Sequence, residues 1–297
     1  MTIKISIIVF AITFLTSCSF NKMFLHPTKV PAGAKKLTMK SETDSTVITF
    51  SPENHQPIFL KNGIDTLNFD FTIESVVFES SNGNKLNGWF LKPKNTTPTI
   101  TLLHFHGNAG FLVSQYRAIT PLLEYGFQAL IFDYSGFGFS EGEATRKNVL
   151  IDGNSALDYV LSRLDVKDTK LVIYGQSLGG HLAAVVAEQK QAVIDGVVIE
   201  GAFSSHKDIA AEKASIIGRI FVSGKYSAFK SIRNFKKPVL VIHSTEDDVI
   251  PFKMGQKIFK NANEPKEFYE IQNCHICGPD FYADSISKKI INMVSIK

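Results

Sequence analysis

From Ile100 to the C-terminus, short and mostly apolar runs alternate with longer stretches of helical periodicity. That alternation narrows the possible folds more than any other feature of the chain. Runs such as Gln128-Ala-Leu-Ile-Phe132 and Pro238-Val-Leu-Val-Ile242 lack the polar/apolar alternation of a half-exposed strand. Both of their faces must therefore be covered, as in a mostly parallel sheet with helices on each side. The pattern predicts strands over 100–105, 128–133, 170–174, 194–200, 238–243 and 267–271, and helices near 114–125, 146–163, 178–189, 252–260 and 281–294. Upstream, Ile73–Phe78 and Leu86–Leu91 flank Ser81-Asn82-Gly83-Asn84 and read as an antiparallel hairpin. The expected fold class is α/β, with an antiparallel start leading into parallel crossovers within one domain.

The first residues stand apart from this pattern. Lys4 precedes an apolar run from Ile5 to Leu15 that is too short to cross a bilayer, which takes about 20 residues. Leu15-Thr16-Ser17-Cys18 resembles a bacterial lipobox, which implies cleavage before Cys18 and lipidation of that residue. Residues 1–17 are thus expected to be a lipoprotein signal peptide. The expected location is the bacterial cell envelope, facing the periplasm or the cell exterior, with a fatty acyl group such as palmitate on Cys18. Residues 18–70, with Pro27, Pro31, Pro52 and Pro57, read as a tether followed by irregular structure or edge strands.

Composition removes several classes. At 44% hydrophobic and 20% charged the chain is not disordered as a whole. Thirty-two basic against twenty-eight acidic residues leave no electrostatic footprint for nucleic acid. Three cysteines are too few for a disulfide scaffold in a chain of 297 residues.

The chemistry concentrates in Gly175-Gln176-Ser177-Leu178-Gly179, directly between an apolar strand and a helix. Gly-x-Ser-x-Gly in that context is the nucleophile-elbow pattern, in which a tight turn pushes the serine hydroxyl outward and the N-terminus of the next helix faces a developing oxyanion. A serine nucleophile needs a base, and the base an orienting acid. Of eight histidines, His275 follows the last predicted strand, where a loop can reach over the nucleophile; His26 and His55 lie in the irregular N-terminal part and His181 behind the elbow. The acid is expected after the preceding strand, where Glu246, Asp247 and Asp248 are adjacent. The residues themselves leave three choices.

Four motifs together resemble the α/β-hydrolase superfamily, in its serine esterase/thioesterase branch: His106-Gly107-Asn108-Ala109-Gly110, Asp133-Tyr-Ser-Gly136-Phe-Gly138-Phe-Ser140-Glu-Gly142, Gly175-Gln-Ser177-Leu-Gly179 and His243-Ser-Thr-Glu-Asp247-Asp-Val-Ile-Pro251. The resemblance implies that the acid is Asp247, and the chain order Ser177, Asp247, His275 suits the fold. It also implies an oxyanion hole from the backbone N–H groups of Leu178 and Asn108. His106 and Asp133 would hold loops. The hydrolase domain would span 71–297, with a short cap at 203–232 too small for a large lid.

The resemblance implies cleavage of small carboxylic esters or thioesters, with no metal or organic cofactor called for. The alternatives are a serine peptidase or amidase of the same fold, and a non-catalytic surface lipoprotein. Cys274 and Cys277 flank the presumed base, and a short-loop disulfide or free thiols both fit the sequence. Oligomeric state is not legible.

Overall fold

The computed structural model describes residues 25–31, 33–40 and 45–295, with backbone alone over 214–221. The predicted signal and Cys18 lie outside the described residues. In chain order the strands are β1 (His26–Pro27), β2 (Lys36–Lys40), β3 (Ser45–Phe50), β4 (Pro57–Lys61), β5 (Asp65–Thr66), β6 (Phe71–Glu79), β7 (Lys85–Pro93), β8 (Ile100–Phe105), β9 (Ala109–Gly110), β10 (Phe127–Phe132), β11 (Lys170–Gln176), β12 (Gly196–Glu200), β13 (Val239–Ser244) and β14 (Lys266–Ile271). The α-helices are α1 (Leu112–Gln115), α2 (Arg146–Ser162), α3 (Leu178–Gln189), α4 (His206–Phe221), α5 (Ala228–Ser231), α6 (Phe252–Asn261) and α7 (Gly278–Ser295).

Eight strands form the central sheet in the order β14-β13-β12-β11-β8-β10-β7-β6. Pairing is parallel from β10 through β8 to β14, and antiparallel where β7 meets β10 and β6. Every residue of β8, β10, β12 and β13 is buried, as two-faced covering requires. Within β8, Leu103 and Phe105 join one core with Leu182 and Val186 of α3, while Ile100 and Leu102 join the other with Ile286 and Ile290 of α7. The fold is thus the α/β arrangement expected from the sequence. The helix expected at 114–125 is instead α1 followed by two 3-10 turns, with Pro121 near the start of the second and Gly126 in the left-handed region closing it.

The N-terminal part differs from expectation more sharply. Where the sequence suggested irregular structure or edge strands, β2 to β5 form a separate antiparallel sheet. Ile48, Phe50 and Phe59 from it enter the same core as Trp89 and Tyr116. Gln56 ties it to β6, donating from Nε2 to Ile73 C=O at 2.7 Å and accepting from Ser75 N–H at 2.8 Å. Phe59 is 3% exposed, with its ring 5.5 Å from Tyr116 and 5.8 Å from Trp89. Phe59→Ala is therefore expected to destabilise the protein by about 3–5 kcal/mol in denaturant unfolding, the usual range for a buried aromatic. A near-neutral effect would mean that this sheet does not share the core.

Candidate active site

The C-terminal ends of the parallel strands carry all the residues singled out for chemistry. Ser177 follows β11 and caps α3 with φ 55° and ψ −115°, a conformation non-glycine residues rarely adopt. The flanking glycines are required by close approach. A Cβ on Gly175 would lie 2.2 Å from the Gly179 carbonyl oxygen, and one on Gly179 would lie 1.9 Å from the Phe105 carbonyl oxygen. The motif Gly-x-Ser-x-Gly is thus the condition for β8, β11 and α3 to meet closely enough to force Ser177 into its turn.

The base loop lies across from it. His275 Nδ1 is 2.7 Å from Asp247 Oδ2, and the Asp247 side chain is fully buried. Because an ionised carboxylate only accepts, this contact places a proton on Nδ1, and Nε2 makes no hydrogen bond among the described residues. Asp247 Oδ2 also lies 3.3 Å from His243 Nε2, and Oδ1 accepts from the N–H groups of Val249 and Ile250. Burial by itself would raise the Asp247 pKa, but hydrogen bonds from His243 and His275, the His275 charge and the Ile250 N–H outweigh it and hold the carboxyl well below its ordinary range.

The three adjacent carboxylates now have different positions. Asp247 meets the imidazole, Glu246 accepts from the N–H of Asn273 in the base loop at 2.9 Å, and Asp248 is exposed. The base loop contains Asn273 at φ 77° and Ile276 at φ 51°. Its ends are held from two sides. Ser244 Oγ donates to Asn273 C=O, and Gln176 Nε2 donates to Ile276 C=O. Cys274 and Cys277 are joined by a disulfide across His275, with Cα atoms 5.7 Å apart.

Glu200, at the end of β12, was not singled out from the sequence. It is 1% exposed. Its Oε2 accepts from Tyr174 Oη and Gln176 Nε2, each at 2.8 Å, and its Oε1 accepts from Gly278 N–H at 2.7 Å. Its backbone carbonyl accepts the N–H of Ser177 at 2.9 Å. One residue therefore supports the nucleophile turn and the base loop together. Burial raises its pKa, opposed by Gln176, Tyr174, the Gly278 N–H and the His275 charge. A signal was present in the sequence: an acid ending the apolar run Gly196-Val-Val-Ile-Glu200.

Ser177, His275, Leu178 and Asn108 line one cavity of about 560 Å³, whose other walls include Phe203, Ile209, Val249 and Ile250. Ser177 Oγ makes no hydrogen bond among the described residues; in free enzymes such contacts often tighten only when substrate is bound. The N–H groups of Leu178 and Asn108 also find no acceptor among the described residues, so both are available to the cavity. His26 lines the same cavity, and its N–H donates to Asn108 Oδ1 at 2.9 Å. Sequence reasoning set it aside, because its position arises only from pairing of β1 with β9.

Asp133 holds the neighbouring loop by accepting from Leu112 N–H at 2.6 Å, and His106 lies 3.7 Å from it, both side chains being buried. Burial pushes Asp133 up to about 7, against the N–H groups of Leu112 and Phe139.

These features agree with known proteins. A family profile described as alpha/beta hydrolase fold matches residues 100–223. The chain is 37% identical over 209 residues to a Salmonella typhi protein named YfhR, covering 65% of this chain and 71% of that one. Among solved structures, the Pyrococcus furiosus esterase Pf2001 superposes with a TM-score of 0.62 at 17% identity, covering 75% of this chain and 93% of the esterase. Est1E of Butyrivibrio proteoclasticus, solved with ferulic acid, superposes with a TM-score of 0.63 at 18% identity, covering 74% of this chain and all of Est1E. The site and these likenesses define a hydrolase fold. The chain belongs to the α/β-hydrolase superfamily.

Two outcomes follow from the geometry. Glu200→Gln turns an NH2 group toward either the Tyr174 and Gln176 donors or the Gly278 N–H, so it weakens one side or the other. Turnover is expected to fall about 10–100-fold with KM little changed, as for a misplacement near 1 Å. Tyr174→Phe, which leaves the carboxylate and Gly278 contact intact, is expected to keep its turnover. Equal losses in both variants would contradict the positioning role.

Asp133 supplies a pH-dependent test. Its folded value lies above its ordinary one, so the folded state binds that proton more tightly than the unfolded chain. Its contribution to stability is complete below the ordinary carboxylate range and is lost as pH rises through about 7. Relative to wild type, Asp133→Asn should gain stability as pH rises from about 4 to about 7. Melting temperatures across that window provide the check, and a constant difference between the two proteins would contradict it.

Proposed function

We propose that this protein is a serine hydrolase that cleaves carboxylic esters or thioesters through an acyl-enzyme on Ser177. The observation that carries the reading is the 2.7 Å contact of His275 Nδ1 with buried Asp247, on a cavity wall shared with strained Ser177. His275 Nε2 takes the Ser177 proton as Oγ attacks the carbonyl carbon, and Asp247 stabilises the resulting imidazolium. The N–H groups of Leu178 and Asn108 receive the oxyanion, each such donor lowering the barrier by about 2.7–4 kcal/mol. His275 then protonates the leaving alcohol or thiol. Water then gives a proton to the same imidazole as it attacks the acyl carbon; the acyl–Oγ bond breaks, the acid leaves, and His275 returns the proton to Ser177 Oγ.

The apolar wall formed by Phe203, Ile209, Val249 and Ile250 suits an acyl group. The likeness to Pf2001, which is named as an esterase, supports an oxygen-ester substrate. Lipidation of Cys18 would place this chemistry in a bacterial cell envelope, facing the periplasm or the exterior, and held at the membrane.

A fluorophosphonate probe is expected to label the wild type and not Ser177→Ala. With p-nitrophenyl butyrate, Asp247→Asn is expected to lower kcat by on the order of 10²–10⁴-fold through loss of the correct imidazole tautomer. A folded wild type that neither reacts with the probe nor hydrolyses short esters would sink the proposal.

A further inference from the structure

The N-terminal strand lies outside the stretch matched by the family profile, yet it is built into the active site. β1 pairs in parallel with β9, register His26 to Ala109 and Pro27 to Gly110, on the loop that presents the Asn108 N–H. Beyond β1 the segment is stitched down again. Gly138 N–H donates to Thr28 C=O at 2.8 Å, Val30 N–H donates to Gly138 C=O at 2.9 Å, and Leu25 and Val30 are buried. The first described strand therefore lies at the rim of the cavity.

Only eight Cα-to-Cα steps lead from Cys18 to His26. Fully extended they reach at most about 29 Å. A domain of this size is about 50 Å across by the scaling of compact chains. An anchor on Cys18 is too short to reach the far side of the molecule, so it keeps the cavity side nearer the bilayer than the opposite face. The cavity wall matches that orientation. It is apolar over most of its area and carries no carboxylate. Asp208 and Glu212 of α4 are paired with Lys257 and Lys253, while Lys213, which lines the wall, has no ion pair among the described residues.

Resting on the hydrolase reading and on lipidation of Cys18, we infer that the substrates are acyl esters resident in the membrane. The N-terminal strand joins the oxyanion loop to the anchor and keeps the cavity mouth at the lipid surface. The acyl chain enters the apolar cavity from the bilayer, and Lys213 meets an anionic headgroup. The bond broken is the acyl ester, by the Ser177 steps above, with water as the only co-reactant.

The test uses the full-length lipidated protein and Cys18→Ser, with two substrates. One is p-nitrophenyl butyrate in solution. The other is p-nitrophenyl palmitate held in vesicles of phosphatidylethanolamine and phosphatidylglycerol. The two proteins should match on the butyrate, while Cys18→Ser should be at least about tenfold slower on the vesicles, since tethering raises effective concentration by 10²–10⁴. Orientation is read separately: a fluorescent fluorophosphonate on Ser177 of the vesicle-bound protein should transfer most of its emission to headgroup-labelled acceptor lipid. Equal vesicle rates, or vesicle binding without energy transfer, would overturn the inference and leave the hydrolase reading intact. A Cys18→Ser protein that still fractionates with membranes would also overturn it. Failure of the wild type on butyrate and on the probe removes the hydrolase reading, and this inference with it.

Discussion

The buried Glu200 carboxylate is the constraint around which the site is arranged. A carboxylate at 1% exposure is tolerable only when its lone pairs are filled, and here Tyr174, Gln176 and the Gly278 N–H fill them. Those donors come from β11 and from the start of α7, so satisfying one charge brings together the strand that ends in the nucleophile and the loop that carries the base. Gln176 extends the tie by donating to Ile276 C=O as well. Next in the chain, Gly201 has φ 55°, and a Cβ there would stand 2.8 Å from Ile276 and 3.2 Å from the His275 ring. The crossing of β12 under the base loop thus needs an acid for its hydrogen bonds and a glycine for its clearance.

Strain and support are divided accordingly. Ser177, Asn273 and Ile276 all sit at positive φ without being glycine, which costs of order 1–3 kcal/mol each. They persist because neighbouring contacts over-determine them. Ser177 is held between the Glu200 carbonyl and the first turn of α3; Asn273 is held by Ser244 and Glu246; Ile276 is held by Gln176. The disulfide across His275 closes the loop covalently at its centre. The catalytic geometry therefore depends less on any one bond than on a sheet whose strand ends are fixed on both faces.

The parts legible in the sequence are those whose signal is local. β8, β10 and β13 were readable because covering both faces of a strand removes its polar residues, and α2 because its pattern runs unbroken from Arg146 to Ser162. Ser177 was readable because its two glycines are demanded by backbone contacts within the same turn. The β2–β5 sheet was not, since its strands mix exposed and buried positions and prolines interrupt the segment. Among Glu246, Asp247 and Asp248 the residue types are equivalent, and only the direction in which each leaves the loop after β13 separates them. His26 and Glu200 depend on partners 82 and 78 residues away, at Asn108 and Gly278, which no local pattern encodes.

That non-local origin bears on how the site is built. No contact of β1 reaches the proposed triad among the described residues: Ser177, Asp247 and His275 sit at the ends of β11, β13 and β14, held by β8, α3, Glu200 and the disulfide. What β1 adds is a further hold on the Asn108 loop, whose other supports include Leu112 N–H on Asp133 and Gln115 Nε2 on the Ala109 carbonyl. An oxyanion donor acts through placement, because a backbone N–H aimed ahead of the reaction needs no rearrangement as charge develops. On the proposed mechanism, a segment that stiffens this loop would act on the transition state rather than on substrate binding. The oxyanion side of the cavity, and not the base side, is where the N-terminal chain is coupled to the chemistry.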